Sequence, residues 1–215
     1  MVTLKSLNPY TGQIIGEVSE TEESEILEIF RKSNTIQKEW SKLSLEERAK
    51  SLEPLSTIIK SQFEEITGIL VQEEGMPITE AKESTSKLLG RINFLIEKSP
   101  AYLSNEIFGL NDGRENIVMY RPVGTVACIL PWNHPFTIPF WTIIPALIAG
   151  NSIIYKPSEL TPIIGKQIEK AFFQLNIPRD VFNVVYGDGS LGRKLGSSNY
   201  INMISFAGSV SVGKK

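Results

Sequence analysis

The sequence predicts an α/β protein: a parallel, doubly wound sheet with flanking helices, preceded by an N-terminal helical region. Three observations predict it. Beyond residue 124, unbroken apolar strands alternate with helical stretches, the pattern of a parallel sheet covered on both faces. Before residue 104, apolar residues recur at helical intervals behind capping signals. Between the two regions, a turn sequence, Asn111-Asp112-Gly113, separates two short strand-like runs.

The elements follow in order. Ser19 and Glu22 have capping-box spacing ahead of Ile26, Leu27, Ile29 and Phe30, so a first helix is expected there. Ser44 and Glu47 repeat the device before a second helix near 45–60. A third reads at 61–74 and stops at Gly75-Met76-Pro77. A fourth runs over about 79–103, with Leu88, Leu89, Ile92, Leu95 and Ile96 along one side. Residues 104–124 read as a hairpin. From residue 125 the order is strand (TVACIL), helix (134–150), strand (NSIIY), helix (161–175), strand (FNVVY), a glycine-rich loop with a short helix, and strand (INMISF). Thr161 is placed as the N-cap of the helix that Pro162 begins. The last residues, SFAGSVSVGKK, read as strand end, tight turn and the first turn of another helix. Such a turn aims free N–H groups at an anion.

Bulk properties exclude several classes. The chain has 215 residues, 41% of them hydrophobic and 21% charged, which suits a packed core and not a disordered chain. The net charge of -2, with no basic stripe, argues against a nucleic-acid surface. One Cys and one His leave no intrachain disulfide and no metal cluster, and a reduced, cytoplasmic setting fits. The longest apolar stretch, 138–150, is too short to span a bilayer, carries Pro139 and Pro145, and reads as a buried helix.

Ligands of doubly wound sheets bind at the carboxyl ends of the strands, and three of those ends carry unusual residues. GDGSLG at 187–192 fits G-x-G-x-x-G after a strand, so Gly187 and Gly189 could let a phosphate near the backbone. No acid stands at the end of the next strand, and a plain glycine-rich connection reads equally well. In IIYKPSEL at 153–160, Lys156 and Glu159 could hold a ribose by its hydroxyls, or lie in a charged surface loop. In ILPWNHPF at 129–136, Asn133 offers a neutral amide that could donate to an oxyanion, beside a Trp132 wall. The alternative is a rigid turn with its Asn bonded to backbone. His134 reads as a polar helix cap rather than a general base, and Cys128 as a buried, inert thiol. Core packing is the preferred reading of Phe136 and Trp141.

Taken together and in this order, PWN at 131–133, KPSE at 156–159, GDGSLG at 187–192 and FAGS at 206–209 resemble the aldehyde dehydrogenase superfamily. NPYTGQIIGEV at 8–18 extends the resemblance to essentially the whole chain. The resemblance implies an NAD(P)-binding, Rossmann-like domain. It makes Asn133 the catalytic oxyanion donor. It makes Ile129, Pro131, Trp132, Lys156, Ser158, Glu159, Gly187, Gly189, Phe206, Gly208, Ser209 and Val212 cofactor-binding residues, with no metal. Lys156 and Glu159 would hold the adenosine ribose, the Gly208–Ser209 turn would face the pyrophosphate, and Val212 and Gly187 would lie by the adenine. Glu159 favours NAD, since a 2′-phosphate would meet a carboxylate, although family members with Glu here also accept NADP. Residues 106–123 look like the hairpin that joins subunits, so a homo-oligomer is implied.

The family's nucleophilic Cys and general-base Glu fall beyond residue 215, and Ala207 stands where the family's motif has Thr. The expectation is therefore an incomplete NAD(P)-binding domain over 1–215: helical at 1–103, oligomerisation hairpin at 104–124, cofactor-binding βα part at 125–215. It is expected to oxidise an aldehyde to an acid only when joined to a complementary C-terminal half, and to leave a sheet edge and apolar surface uncovered. The alternative is a non-catalytic module that binds nucleotide or a partner chain. An acyl-phosphate or acyl-CoA reductase fits the Asn133 segment less well. Neither nucleic acid nor membrane is an expected partner.

Overall fold

The computed structural model describes residues 2–109 and 114–214. The chain opens on an antiparallel hairpin, β1 (Thr3–Leu7) against β2 (Ile14–Ser19), where a helical start was expected. The Asn8 side chain accepts hydrogen bonds from the N–H groups of Tyr10 and Thr11 (2.9 and 3.0 Å), a tight turn that folds β2 back onto β1. Only Ser6 and Val18 of the ten-odd strand positions are buried, so the period of two is hidden by a serine in a core position. Ser19 thus ends a strand. The cap of α1 (Glu23–Trp40) is Glu22, whose N–H donates to the Glu25 carboxylate at 3.0 Å.

The second capping box forms as expected. Glu47 N–H donates to Ser44 Oγ (3.1 Å) and Ser44 N–H to Glu47 (2.7 Å) at the start of α2 (Leu45–Leu52). The helix predicted to run on to residue 60 breaks at Pro54, which has no N–H to continue it, and α3 (Leu55–Ser61) follows. Next, α4 (Phe63–Ile69) widens into a π-helical turn, Leu70–Glu74, stopped by Gly75 at φ 77°. The long helix α5 (Ile78–Tyr102) agrees with prediction. So does the hairpin of β3 (Glu106–Gly109) and β4 (Glu115–Val118), every residue of which is exposed. The predicted turn at Asn111-Asp112-Gly113 lies outside the described residues.

The α/β unit then runs β5 (Thr125–Ile129), α6 (Thr137–Ile148), β6 (Ser152–Lys156), α7 (Pro162–Phe173), β7 (Phe182–Val184), α8 (Gly189–Gly196), β8 (Met203–Phe206), α9 (Val210–Gly213). The sheet is parallel throughout, in the order β7-β6-β5-β8, as the apolar strands predict. Its two faces are separate. Val126, Cys128, Ile153 and Tyr155 pack with α6, α7 and the N-terminal helices. Ala127, Ile154 and Val185 pack with Ile26 and Phe30 of α1 and Leu191 and Leu195 of α8. Stacked rings bind the first face: Phe140 lies 5.7 Å from Phe172, and Phe172 lies 4.1 Å from Phe182, centroid to centroid. Phe136 joins this core, whereas Trp141 is 48% exposed beneath the Arg91 guanidinium, against the packing expected for it. No helix among the described residues is long and apolar enough to cross a membrane.

The C-terminus of α6 is closed from outside. Trp40 donates to the Leu147 carbonyl (2.8 Å), Gln37 to that of Gly150 (3.0 Å) and buried Arg48 to that of Ile148 (2.6 Å). Arg48 also donates to the carbonyls of Ser41 and Leu43 just past α1, so one cation serves the negative ends of two helices. Arg48→Met leaves those carbonyls buried and unpaired. It should cost about 2–4 kcal/mol of folding free energy in urea denaturation, with the secondary structure retained.

Candidate functional site

Parallel pairing brings the separately read motifs to one end of the sheet. Ile129 is opposite both Lys156 and Phe206 in register, so the tips of β5, β6 and β8 form a row. Leu130 N–H donates to the Lys156 carbonyl (3.2 Å) and Ala207 N–H to that of Ile129 (3.1 Å), extending the row by one residue. Gly187 and Gly189 follow β7 at the same end.

The loop after β5 carries Pro131, half-buried, then Trp132, 51% exposed, then Asn133 and His134, both exposed. Among the described residues the Asn133 amide has no hydrogen-bond partner in the protein, so the backbone-bonded alternative does not occur. His134 starts α6 through its carbonyl, which accepts from Thr137 and Ile138 (both 3.2 Å), and not through its imidazole.

Lys156 is 3% exposed, and its ammonium donates to the Pro157 carbonyl (3.1 Å) and to Glu159 (3.3 Å). Burial pulls its pKa below the usual lysine range. Glu159 opposes this, with Asp188 and Glu20 adding to it. The Glu159 side chain is 43% exposed. A half-buried carboxylate beside a buried ammonium suits a vicinal diol, which needs an acceptor and a donor together. Ser158 accepts from the N–H of Leu160 at 3.3 Å.

The glycine loop has a packing reason. A Cβ on Gly187 would lie 2.9 Å from the Leu191 side chain in the first turn of α8, which would have to shift. A Cβ on Gly189 would meet only the Arg193 guanidinium, at 4.0 Å, and Asp188 caps α8 by accepting from Ser190 N–H (2.8 Å). In the terminal turn, the Phe206 ring folds over Gly208, where a Cβ would lie 2.6 Å from it. Ser209 caps α9 by accepting from Val212 N–H at 3.3 Å, and Val212 is 55% exposed.

The thiol is elsewhere in character. Cys128 lies within β5, wholly buried, and burial alone pushes its pKa up to about 12. Thr161, the predicted helix cap, does not cap: its hydroxyl is buried without a partner. Glu73 takes that place, accepting from the N–H groups of Ile163 and Ile164 at 2.8 Å each. No sequence signal distinguishes this acid from its neighbours in a helical stretch. Met203, Ile204 and Phe206 of β8, the strand at one edge of the described sheet, are 50%, 41% and 37% exposed.

Comparison with known proteins agrees with this geometry. The model of the aldehyde dehydrogenase family matches residues 2–215. Betaine aldehyde dehydrogenase of Vibrio vulnificus is 31% identical over 218 residues, covering 98% of this chain and 43% of its own length. Among solved structures, lactaldehyde dehydrogenase from Escherichia coli superposes with a TM-score of 0.91 at 29% identity, over 100% of this chain and 45% of that one. An NAD-dependent benzaldehyde dehydrogenase from Corynebacterium glutamicum gives 0.87 at 26% identity, over 99% and 47%. The chain belongs to the aldehyde dehydrogenase family. It spans less than half the length of the relatives it matches.

Cys128 should resist iodoacetamide at pH 8 in the folded chain and react within minutes in urea, read by mass spectrometry. The fold holds the neutral thiol. Its contribution to stability is therefore complete below about pH 9, the ordinary thiol value, and falls as pH rises toward 12.

Proposed function

We propose that this chain is the NAD(P)-binding part of an enzyme that oxidises an aldehyde to a carboxylic acid. The observation that carries the reading is the row of strand tips, in which Lys156 lies beside Ile129 and Ile129 beside Phe206, with Glu159 held to Lys156 by its side chain. The donor set fits the adenosine half of a dinucleotide. Lys156 and Glu159 hold the ribose hydroxyls, and the open backbone at Gly189 and the Ser209-capped turn admit the phosphates. Pro131, Trp132, Ser158, Gly187 and Val212 lie on the segments that follow β5, β6, β7 and β8 at this end of the sheet and are assigned to the same ligand. Bound nicotinamide supplies the hydride acceptor. The Asn133 amide, neutral and unpaired in the protein, donates to the carbonyl oxygen as negative charge develops on it.

The nucleophile comes from outside residues 1–215, because the one thiol within them is buried in β5. Residues 1–215 accordingly do not by themselves supply the attacking thiolate. That same burial favours a second reading, a non-catalytic module binding nucleotide or a partner chain. One assay separates the two. Aldehyde-dependent NADH formation, once a thiolate-bearing half is added, supports the enzyme; nucleotide binding without turnover supports the module.

NAD is the favoured cofactor, since the Glu159 carboxylate repels a 2′-phosphate. Glu159→Gln should weaken NAD binding about tenfold in calorimetric titration while narrowing the preference over NADP. Equal affinities in the wild-type chain for NAD and NADP would remove the specificity claim.

The β3–β4 hairpin is proposed as a subunit contact. Ile107, Phe108 and Ile117 are 62%, 50% and 50% exposed on a hairpin whose described strand residues are all exposed. Ile107→Lys with Ile117→Lys should lower the mass seen by light scattering without changing the circular dichroism. An unchanged mass would reject the contact.

A further inference from the structure

The first turn of α7 is built in an unusual way. Pro162 has no N–H, and Thr161 leaves its hydroxyl unused, so the free donors are on Ile163 and Ile164. Glu73 accepts both, one on each carboxylate oxygen at 2.8 Å, and also accepts from Ser6 Oγ at 2.6 Å. Ser6 pairs with Gly16 across the N-terminal hairpin, and Gly16 lies directly against the Ile163 side chain. Gly75, which ends the π-helical turn, meets Pro9 of the same hairpin; a Cβ there would lie 2.9 Å from the proline ring. Hairpin, π-helical turn and α7 therefore meet at one carboxylate.

The contacts continue to the strand tips. Gly165, in that first turn, is so close to Pro157 that a Cβ would lie 2.8 Å from the proline ring. The Pro157 carbonyl accepts from Lys156, which also holds Glu159. Displacing the first turn of α7 must therefore displace Pro157 and the residues that follow it.

We propose that Glu73 is the positioning residue for loop 157–161, fixing through α7 the placement of Glu159 against Lys156; this rests on the reading of that pair as the ribose-binding groups. The bidentate geometry demands a carboxylate. A glutamine would turn an NH₂ group toward one of the two amide donors, and the first turn would shift.

The test uses the whole chain and two probes, ADP and 2′,3′-dideoxy-ADP, titrated by calorimetry. The wild-type chain should bind ADP about tenfold more tightly, through the ribose hydroxyls. Glu73→Gln should bring that ratio to within about twofold of one while leaving the dideoxy affinity nearly unchanged. Amide hydrogen exchange should rise at residues 158–164 and stay constant in β5. Ser6→Ala, which keeps the carboxylate and removes one of its donors, should give an intermediate ratio, and it carries the test if Glu73→Gln fails to fold. A general structural role would weaken both probes equally and would overturn the inference, as would a variant that discriminates like the wild type. A wild-type chain that binds the two probes equally overturns the ribose assignment itself, and the inference with it.

Discussion

Two amide groups at the start of α7 are closed by a carboxylate some 90 residues upstream. Burying a carboxylate is costly, and burial pushes the Glu73 pKa upward. The three hydrogen bonds it accepts pull the other way. The arrangement holds only if Ser6, Ile163 and Ile164 all stay in place, so three elements from separate parts of the sequence are fixed to one another. The opposite end of the preceding helix is fastened in the same manner with the opposite charge. There Arg48 and Trp40 meet the last carbonyls of α6. The sheet and its crossover helices are thus gripped at the helix ends by the N-terminal region, each end by the polarity its dipole prefers.

This grip bears on chemistry because the loops at the strand tips begin or end at those helices. Loop 157–161 leads directly into α7, and the Trp132–Asn133 loop leads into α6. The alternation of strand residues then sorts groups by character. Cys128 points into the core while its neighbour Ile129 reaches the tip, one residue before the exposed loop. The segments at the strand tips thus carry an exposed amide, a buried ammonium and a half-buried carboxylate, while the thiol lies within the core. A thiol so buried is unsuited to nucleophilic attack.

Part of the exposed apolar surface lies on strands with a free side. The β3–β4 hairpin is exposed along both strands, and edge strand β8 carries Met203 and Ile204 in the open. On the β3–β4 hairpin, apolar side chains in the open add a driving force for association.

Much of this was legible in the sequence. Apolar runs such as SIIYK, alternating with helices, specify a parallel sheet, because only strands covered on both faces are apolar throughout. The Ser44/Glu47 box and Gly75 marked helix boundaries correctly, since caps depend on neighbours in sequence. The motif residues at the strand tips were identifiable because their types and order are unusual. What depended on distant partners was not legible. The N-terminal hairpin was hidden because one of its two buried positions is a serine, whose hydroxyl is satisfied by the distant Glu73. Thr161 looked like a cap, yet a carboxylate from another helix displaced it. The sequence by itself determined the α/β class, the position of the motifs and the inertness of Cys128, all consequences of local pattern and side-chain type. Only the tertiary structure decided which acid closes α7, which cation closes α6, and that Ile129, Lys156 and Phe206 share one row. Hydrogen bonds and strand register join residues by distance in space, which the order of the chain does not encode.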